Sequence, residues 1–167
     1  MNVTIIASAL KVDGNKVGSM VSVDLPGISF ATTDVSGAGL MGTIAVPTWG
    51  QLEIMECVIH TRGIDAESRG MFAPGKHRIE ILTSQQVFEP NVNDKATPGK
   101  IFIDGRLKSA EGGSIEVPNS VEGSVTFEVT RMQEFSSGVE TLLIDKENYI
   151  YKVNGTDYMA DVRAAMQ

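Results

Sequence analysis

Val125, Phe127 and Val129 alternate with Thr126, Glu128 and Thr130, and this period of two constrains the fold more than any other feature of the chain. Successive side chains of a strand point to opposite faces, so the stretch describes a strand with one apolar face and one wet face. The alternation recurs along the chain, punctuated by turn pairs drawn from 17 glycines. It predicts a mainly β chain of antiparallel strands.

Thr4 to Val12, the turn Asp13-Gly14-Asn15 and Lys16 to Leu25 read as a first hairpin, because Asp-Gly supplies the positive backbone angles of a tight turn. Ser29 to Pro47 is rich in Gly, Ala, Ser and Thr, poor in charge and without sustained alternation. It reads as a long loop or extended arm, a kind of segment that is usually functional or disordered. Trp49 to His60 reads as one strand, with Leu52, Ile54 and Val58 on one face and Glu53, Met55 and Cys57 on the other.

A short internal helix is expected from Asp65, stopped by Gly70 or Pro74-Gly75. Lys76 to Phe88 is a strand with Ile79 and Ile81 inward, followed by a polar loop from Glu89 to Gly99. Lys100 to Ser109 and Ser124 to Phe135 are long strands, and Val139 to Ile144 and Tyr149 to Val153 are the last ones. Thr156 is placed to cap a final helix from Asp157 onward, with Tyr158, Met159, Val162 and Met166 on one side of it. So short a helix is marginal alone, so that face must pack on something.

The chemistry-bearing motifs are sparse. Gly37-Ala38-Gly39-Leu40-Met41-Gly42 matches the dinucleotide fingerprint, but that fingerprint needs a buried strand before it and a helix after it, and neither flank fits. Glu56, Cys57 and His60 are close in sequence, yet Cys57 on a strand points away from the other two, and no second ligand pair exists. There is no nucleophile elbow, zinc-protease motif or phosphate loop. No catalytic, metal or cofactor-binding residue is assigned, and a binding or structural role gains weight.

Charge and cysteine usage narrow the class further. The 14 Lys and Arg against 21 Asp and Glu leave a net charge of -7, which disfavours a general grip on nucleic acid. The apolar runs are too short to span a bilayer and the N-terminus has no signal-peptide pattern. Cytoplasmic synthesis without stable membrane insertion is expected. Cys57 is the single cysteine, which fits a reducing compartment.

Four stretches taken in order carry a family resemblance: Val21-Ser22-Val23-Asp24-Leu25-Pro26, the Gly37 to Gly42 arm, Gly105-Arg106-Leu107-Lys108, and the ending. The ending is the most specific of them, with Ile144-Asp145, Asn148, Val153-Asn154-Gly155-Thr156-Asp157, Met159 and Arg163. Together they resemble the major tail tube proteins of contractile-tailed bacteriophages and of the related R-type tailocins. Gly27 stands where that family's pattern leads one to expect Lys, which bears on the subfamily.

The resemblance implies one tail-tube domain over 1–167, built as two antiparallel sheets in a sandwich or partial barrel with a short internal helix and a short C-terminal one. It implies that six copies form a ring whose inner sheets join into one barrel, which closes edges that long strands otherwise leave open. Stacked rings then form a tube inside a sheath, with baseplate, tape measure and tail terminator proteins as partners and, in a phage, DNA passing non-specifically through the lumen. The particle would be a virion tail or tailocin assembled in the cytoplasm of a bacterial host.

Within that frame Val35, Gly37, Gly39, Leu40, Met41 and Gly42 form an inter-subunit arm. Asp104-Gly105 becomes a bulge in a continuing strand rather than a turn. Tyr158, Met159, Val162 and Met166 pack mainly on their own domain, and Glu128 faces either the lumen or ordinary solvent. A secretion-system tube subunit of the same fold and a monomeric ligand-binding β-barrel are the competing readings. Deleting Val35 to Thr43 is expected to leave a folded β domain that no longer forms tubes; circular dichroism showing an unfolded deletion would make the arm core structure.

Overall fold

The computed structural model describes residues 2–167. Twelve strands and two short helices follow in the order β1 (Asn2–Val12), β2 (Asn15–Val17), β3 (Met20–Asp24), β4 (Phe30–Val35), β5 (Ile44–Leu52), β6 (Glu56–Arg62), α1 (Ala66–Gly70), β7 (Lys76–Phe88), β8 (Lys95–Glu111), β9 (Glu122–Ser136), β10 (Val139–Asp145), β11 (Ile150–Val153), β12 (Thr156–Asp157) and α2 (Ala160–Ala165). They form two antiparallel sheets, one of ten strands and a separate pair β4-β5. The mainly β class expected from the alternation and the two antiparallel sheets implied by the resemblance are both observed.

The large sheet runs β12-β11-β10-β9-β8-β7-β1-β2 and branches at β9, where β6 and then β3 are added. β9 carries β8 along one edge. Its other edge is shared end to end, by β6 over Glu122 to Glu128 and by β10 over Arg131 to Ser136. β3 and β1 do not pair, so the bent sheet is a partial barrel with an open seam.

Alternation explains the core. Val125, Phe127 and Val129 on β9, Ile103 on β8, Ile79 and Ile81 on β7, Leu10 and Val12 on β1, and Cys57 and Ile59 on β6 all point inward and are buried. In β9 the phase then slips: Asp104 pairs with Arg131 but Gly105 with Val129, leaving Thr130 as an extra residue, and Met132 becomes the next inward side chain. Such a bulge bends the strand and re-aims everything after it. Asp104-Gly105 therefore lies within a continuing strand, and the extra residue sits on the partner. A Cβ on buried Gly105 would lie 3.0 Å from the Glu128 carbonyl oxygen, a tight contact that favours glycine where β8 meets the bulge of β9.

Asp13 and Gly14 both have positive φ, 52° and 84°, as a two-residue hairpin turn demands. His77 fastens this turn. Its Nδ1 lies 2.6 Å from Asp13 Oδ2 and its Nε2 2.6 Å from the Ala73 carbonyl, with the ring edge against Phe127. α1 begins where expected, and Asp65 caps it: its Oδ1 accepts the Ser68 N–H at 2.8 Å, and Met71 just beyond is buried in the core.

Several boundaries differ from expectation, each for a pairing reason. The Lys16 to Leu25 stretch is two strands, because the chain breaks at Gly18-Ser19 and β3 crosses to β6, with Arg62 N–H donating to the Ser19 carbonyl at 2.9 Å. The Trp49 to His60 stretch is also two. Glu53 N–H donates to Ser29 and Val129 N–H to Met55, and this break inverts the faces. Met55, Cys57 and Ile59 are buried, whereas Ile54, expected inward, is 67% exposed. The polar loop shrinks to 89–94, since Lys95 already pairs with Val87.

Phe127 is among the largest fully buried side chains, on the strand that bears the most pairings. Phe127→Ala is expected to destabilise the fold by about 3–5 kcal/mol, measured by denaturant unfolding of variant and wild type.

Candidate assembly surface

The residues from Ser29 to Pro47 are mostly not a loop. β4 and β5 pair from Phe30↔Leu52 to Val35↔Ile44 as a hairpin of their own, and the expected inter-subunit segment forms its tip. The turn is held by Leu40 N–H donating to the Gly37 carbonyl at 3.1 Å. Regular alternation is weak because neither face is buried: Val35, Leu40, Ile44 and Val46 are exposed and Met41 wholly so. The Gly37 to Gly42 pattern thus lies at a hairpin apex with a strand on each side, and no helix follows to hold a pyrophosphate.

No charged residue occurs between Asp34 and Glu53. An isolated two-stranded hairpin is marginal in water, and exposed apolar side chains without charge are the composition of an interface core. Sequence reasoning missed the hairpin. Its signal was the β-branched content of Thr32, Thr33, Val35, Ile44 and Val46 on either side of the glycines.

At its root the hairpin meets the C-terminal region. The Phe30 and Tyr151 rings are 5.7 Å apart and the Tyr151 and Tyr158 rings 6.4 Å. Phe30, Trp49, Tyr151, Val153, Tyr158 and Met159 line an apolar depression of about 350 Å³. Gly50, at φ +76°, sits directly against the Met159 thioether, where a Cβ would collide.

The final helix departs from expectation. Asn154 and Gly155 turn the chain as predicted, with φ of 49° and 84°, but Thr156 and Asp157 continue as β12 against β11. Thr156 is therefore not the cap. The helix starts at Ala160, its N-cap Met159 makes no side-chain cap bond, and Asp157 Oδ1 accepts the Met159 N–H at 3.0 Å. Of the four expected packing residues only Met159 is buried, at 4% exposure; Val162 is half-buried, and Tyr158 and Met166 are 51% and 62% exposed.

Arg163, on the same helix, does the anchoring. Its Nη1 donates to the Tyr149 carbonyl at 2.8 Å and its Nη2 to Asp157 Oδ2. The tail is thus held by this charge clamp together with the single buried side chain of Met159, rather than by an apolar stripe.

Glu128 lies on the outer face of β9, between the inward Phe127 and Val129. It stands opposite Arg106 on β8 and Glu56 on β6, and Lys108 hydrogen-bonds Glu56. The hydrogen bond to Glu56, reinforced by that carboxylate's charge and more weakly by Glu128, raises the Lys108 pKa. A second row, Arg78, Asp104, Arg131 and Asp145, runs in register across β7 to β10 with alternating sign. This face is one of cancelling charges, with Glu128 as one member of it.

Among the described residues no group of three or more His, Cys, Asp or Glu is placed to hold a metal ion. His60 Nε2 faces Asp24 at 2.9 Å near the surface, on the opposite side of β6 from Cys57. Burial pushes the Cys57 thiol up to about 12, so it is an inert core residue.

A family model described as phage tail tube protein FII matches residues 3–166 of this chain. No curated protein sequence matches it. Among solved structures, the sheath/tube terminator of the PVC extracellular contractile injection system in its extended state aligns at TM-score 0.58 and 12% identity, covering 81% of this chain and 97% of its own. The sheath-tube complex of the same system contributes a chain aligning at TM-score 0.53 and 13% identity, covering 77% and 88%. At these identities the likeness is one of fold.

Arg163 holds the Asp157 carboxyl below its ordinary range, chiefly through the hydrogen bond. A folded value below the unfolded one means the clamp stabilises above the unfolded carboxylate pKa of about 3.9 and loses its contribution as pH falls through the lower folded value. Trp49 emission is expected to report loosening of the tail under acid in the wild type, and already at neutral pH in Arg163→Gln.

Proposed function

The chain belongs to the phage tail tube protein FII family, and from that membership we propose that it works as a hexameric building block of a contractile-tail conduit. Its role as a structural subunit of a tail tube, and so as a component of a tail particle, follows from the family itself. The finer reading is that six copies close into a ring, rings stack, and a sheath surrounds the stack. Baseplate, tape measure and terminator proteins bound its length and ends, in a particle assembled in the cytoplasm of a bacterial host. The role is mechanical rather than catalytic.

The observation that carries this reading is the β4-β5 hairpin, an exposed, apolar projection whose single charge is Asp34, on a well-packed β body. Burying it against other copies would stabilise both the hairpin and the assembly, at roughly 25 cal/mol for each Å² of apolar surface removed from water. In this reading Val35, Gly37, Gly39, Leu40, Met41 and Gly42 touch neighbouring copies, while Met159 anchors the tail within its own subunit and Tyr158 and Met166 face outward toward a neighbour.

The outer face of β7 to β10 suits a lumen. Arg106 and Lys108 beside Glu56 and Glu128, and the alternating Arg78-Asp104-Arg131-Asp145 row, pair cations with carboxylates. Such a face offers a passing polyanion no run of free cations to release its counterions against. In a phage the polymer would be DNA, gripped nowhere along the bore. Glu128 then acts as one partner in a balanced lining.

Purified protein is expected to form rings or tubes of ring repeat, seen by size-exclusion chromatography and negative-stain microscopy. A strictly monomeric chain at every concentration tested would overturn the reading and favour the monomeric β-barrel alternative.

A further inference from the structure

The partial barrel leaves its seam open between β1 and β3. There, Ile5, Met20, Val23, Ile81, Ile101 and Phe135 line a cleft of about 410 Å³. The rim on the β1 side carries no charge, since no charged residue precedes Lys11, and Val3, Ile5 and Ile6 are exposed. β2 pairs with β1 only at Leu10 to Val12, so the edge of β1 before Leu10 has no partner on the side away from β7. Long edge strands are ordinarily protected by charge, proline or cover; this one has neither charge nor proline.

Glu134, on the wall of the cleft, is half-buried, and burial pushes its carboxyl upward. Glu134 and Lys100 both stand on this wall, so a charged occupant of either sign would meet one like charge, while an uncharged apolar one would meet the Ile5, Val23, Ile81 and Ile101 surface.

The same chain carries such an occupant. Leu40 and Met41 project from a glycine-rich turn without a charge from Val35 to Leu52. The hairpin cannot be seated in its own cleft as it stands: its root packs on Tyr151 of β11, near the far end of the sheet order from β1, and no residue of the tip lines the seam. Resting on the tube reading above, we infer that the Leu40-Met41 tip of one copy docks into the β1-β3 cleft of another, with the free edge of β1 offering backbone hydrogen bonds to the incoming turn. Two different patches then meet head to tail, and a contact of that kind propagates into closed rings or open stacks rather than stopping at a symmetric dimer.

The test mixes two singly substituted chains, Met41→Cys and Ile5→Cys, under assembling conditions and oxidises them; the native Cys57 is fully buried and does not compete. The mixed covalent dimer is expected as the dominant product, with same-variant dimers minor. In parallel, Met41→Asp is expected to lose assembly while keeping the wild-type melting temperature, and Met41→Leu to retain assembly. If particles form but the mixed dimer does not, or if Met41→Asp assembles like wild type, the docking is overturned while the tube reading stands. A wild-type chain that never assembles overturns both.

Discussion

The structure depends on β9 serving three partners at once. A strand has two hydrogen-bonding edges, and β9 gives one wholly to β8 and divides the other between β6 and β10. The division falls at Thr130, the bulged residue, and Lys146 N–H donates to its carbonyl at 3.0 Å where β10 ends. Without the bulge the inward phase set by Val125, Phe127 and Val129 would carry Arg131 and Gln133 into the interior instead of Met132. One extra residue thus lets a single long strand belong to a barrel-like core at one end and to a flatter, charge-laced face at the other.

That arrangement sorts the surface into two kinds. The outer face of β7 to β10 sets opposite charges across from one another in register, with ion pairs at Lys108–Glu56 and Arg131–Asp145. The hairpin, the N-terminal half of β1 and the seam between β1 and β3 carry almost no charge and leave Ile5, Ile6, Met41 and Val46 in water. A monomer gains nothing from such a distribution. Under the proposed assembly it would separate what stays wet from what is covered, and the hairpin, marginal on its own, would become stable in the same step that joins copies.

How much of this was legible in the sequence varied with how local the determinant was. The strand over Lys76 to Phe88, the Asp13-Gly14 and Asn154-Gly155 turns and the α1 start at Asp65 were readable because each rests on a few adjacent residues. The hairpin was read as an arm in the right place but of the wrong form, since exposed strands do not alternate. The face of β6 was inverted because a break at Glu53 to Met55, created by hydrogen bonds to Ser29 and Val129, resets the phase in a way no window of sequence reveals. The tail motif pointed to the right segment, but its fastening is Arg163 to Asp157 and Tyr149 rather than a row of apolar residues.

By itself the sequence determined a mainly β chain with two short helices and a glycine-rich projection poor in charge, which follow from side-chain period, turn chemistry and composition, and it carried an ending that resembles the family's. Tertiary structure alone decided that the large sheet branches at β9, that it stays open between β1 and β3, and that Glu128 stands between Arg106 and Glu56. Those features depend on which strand supplies each backbone hydrogen bond, and that choice is made between segments dozens of residues apart.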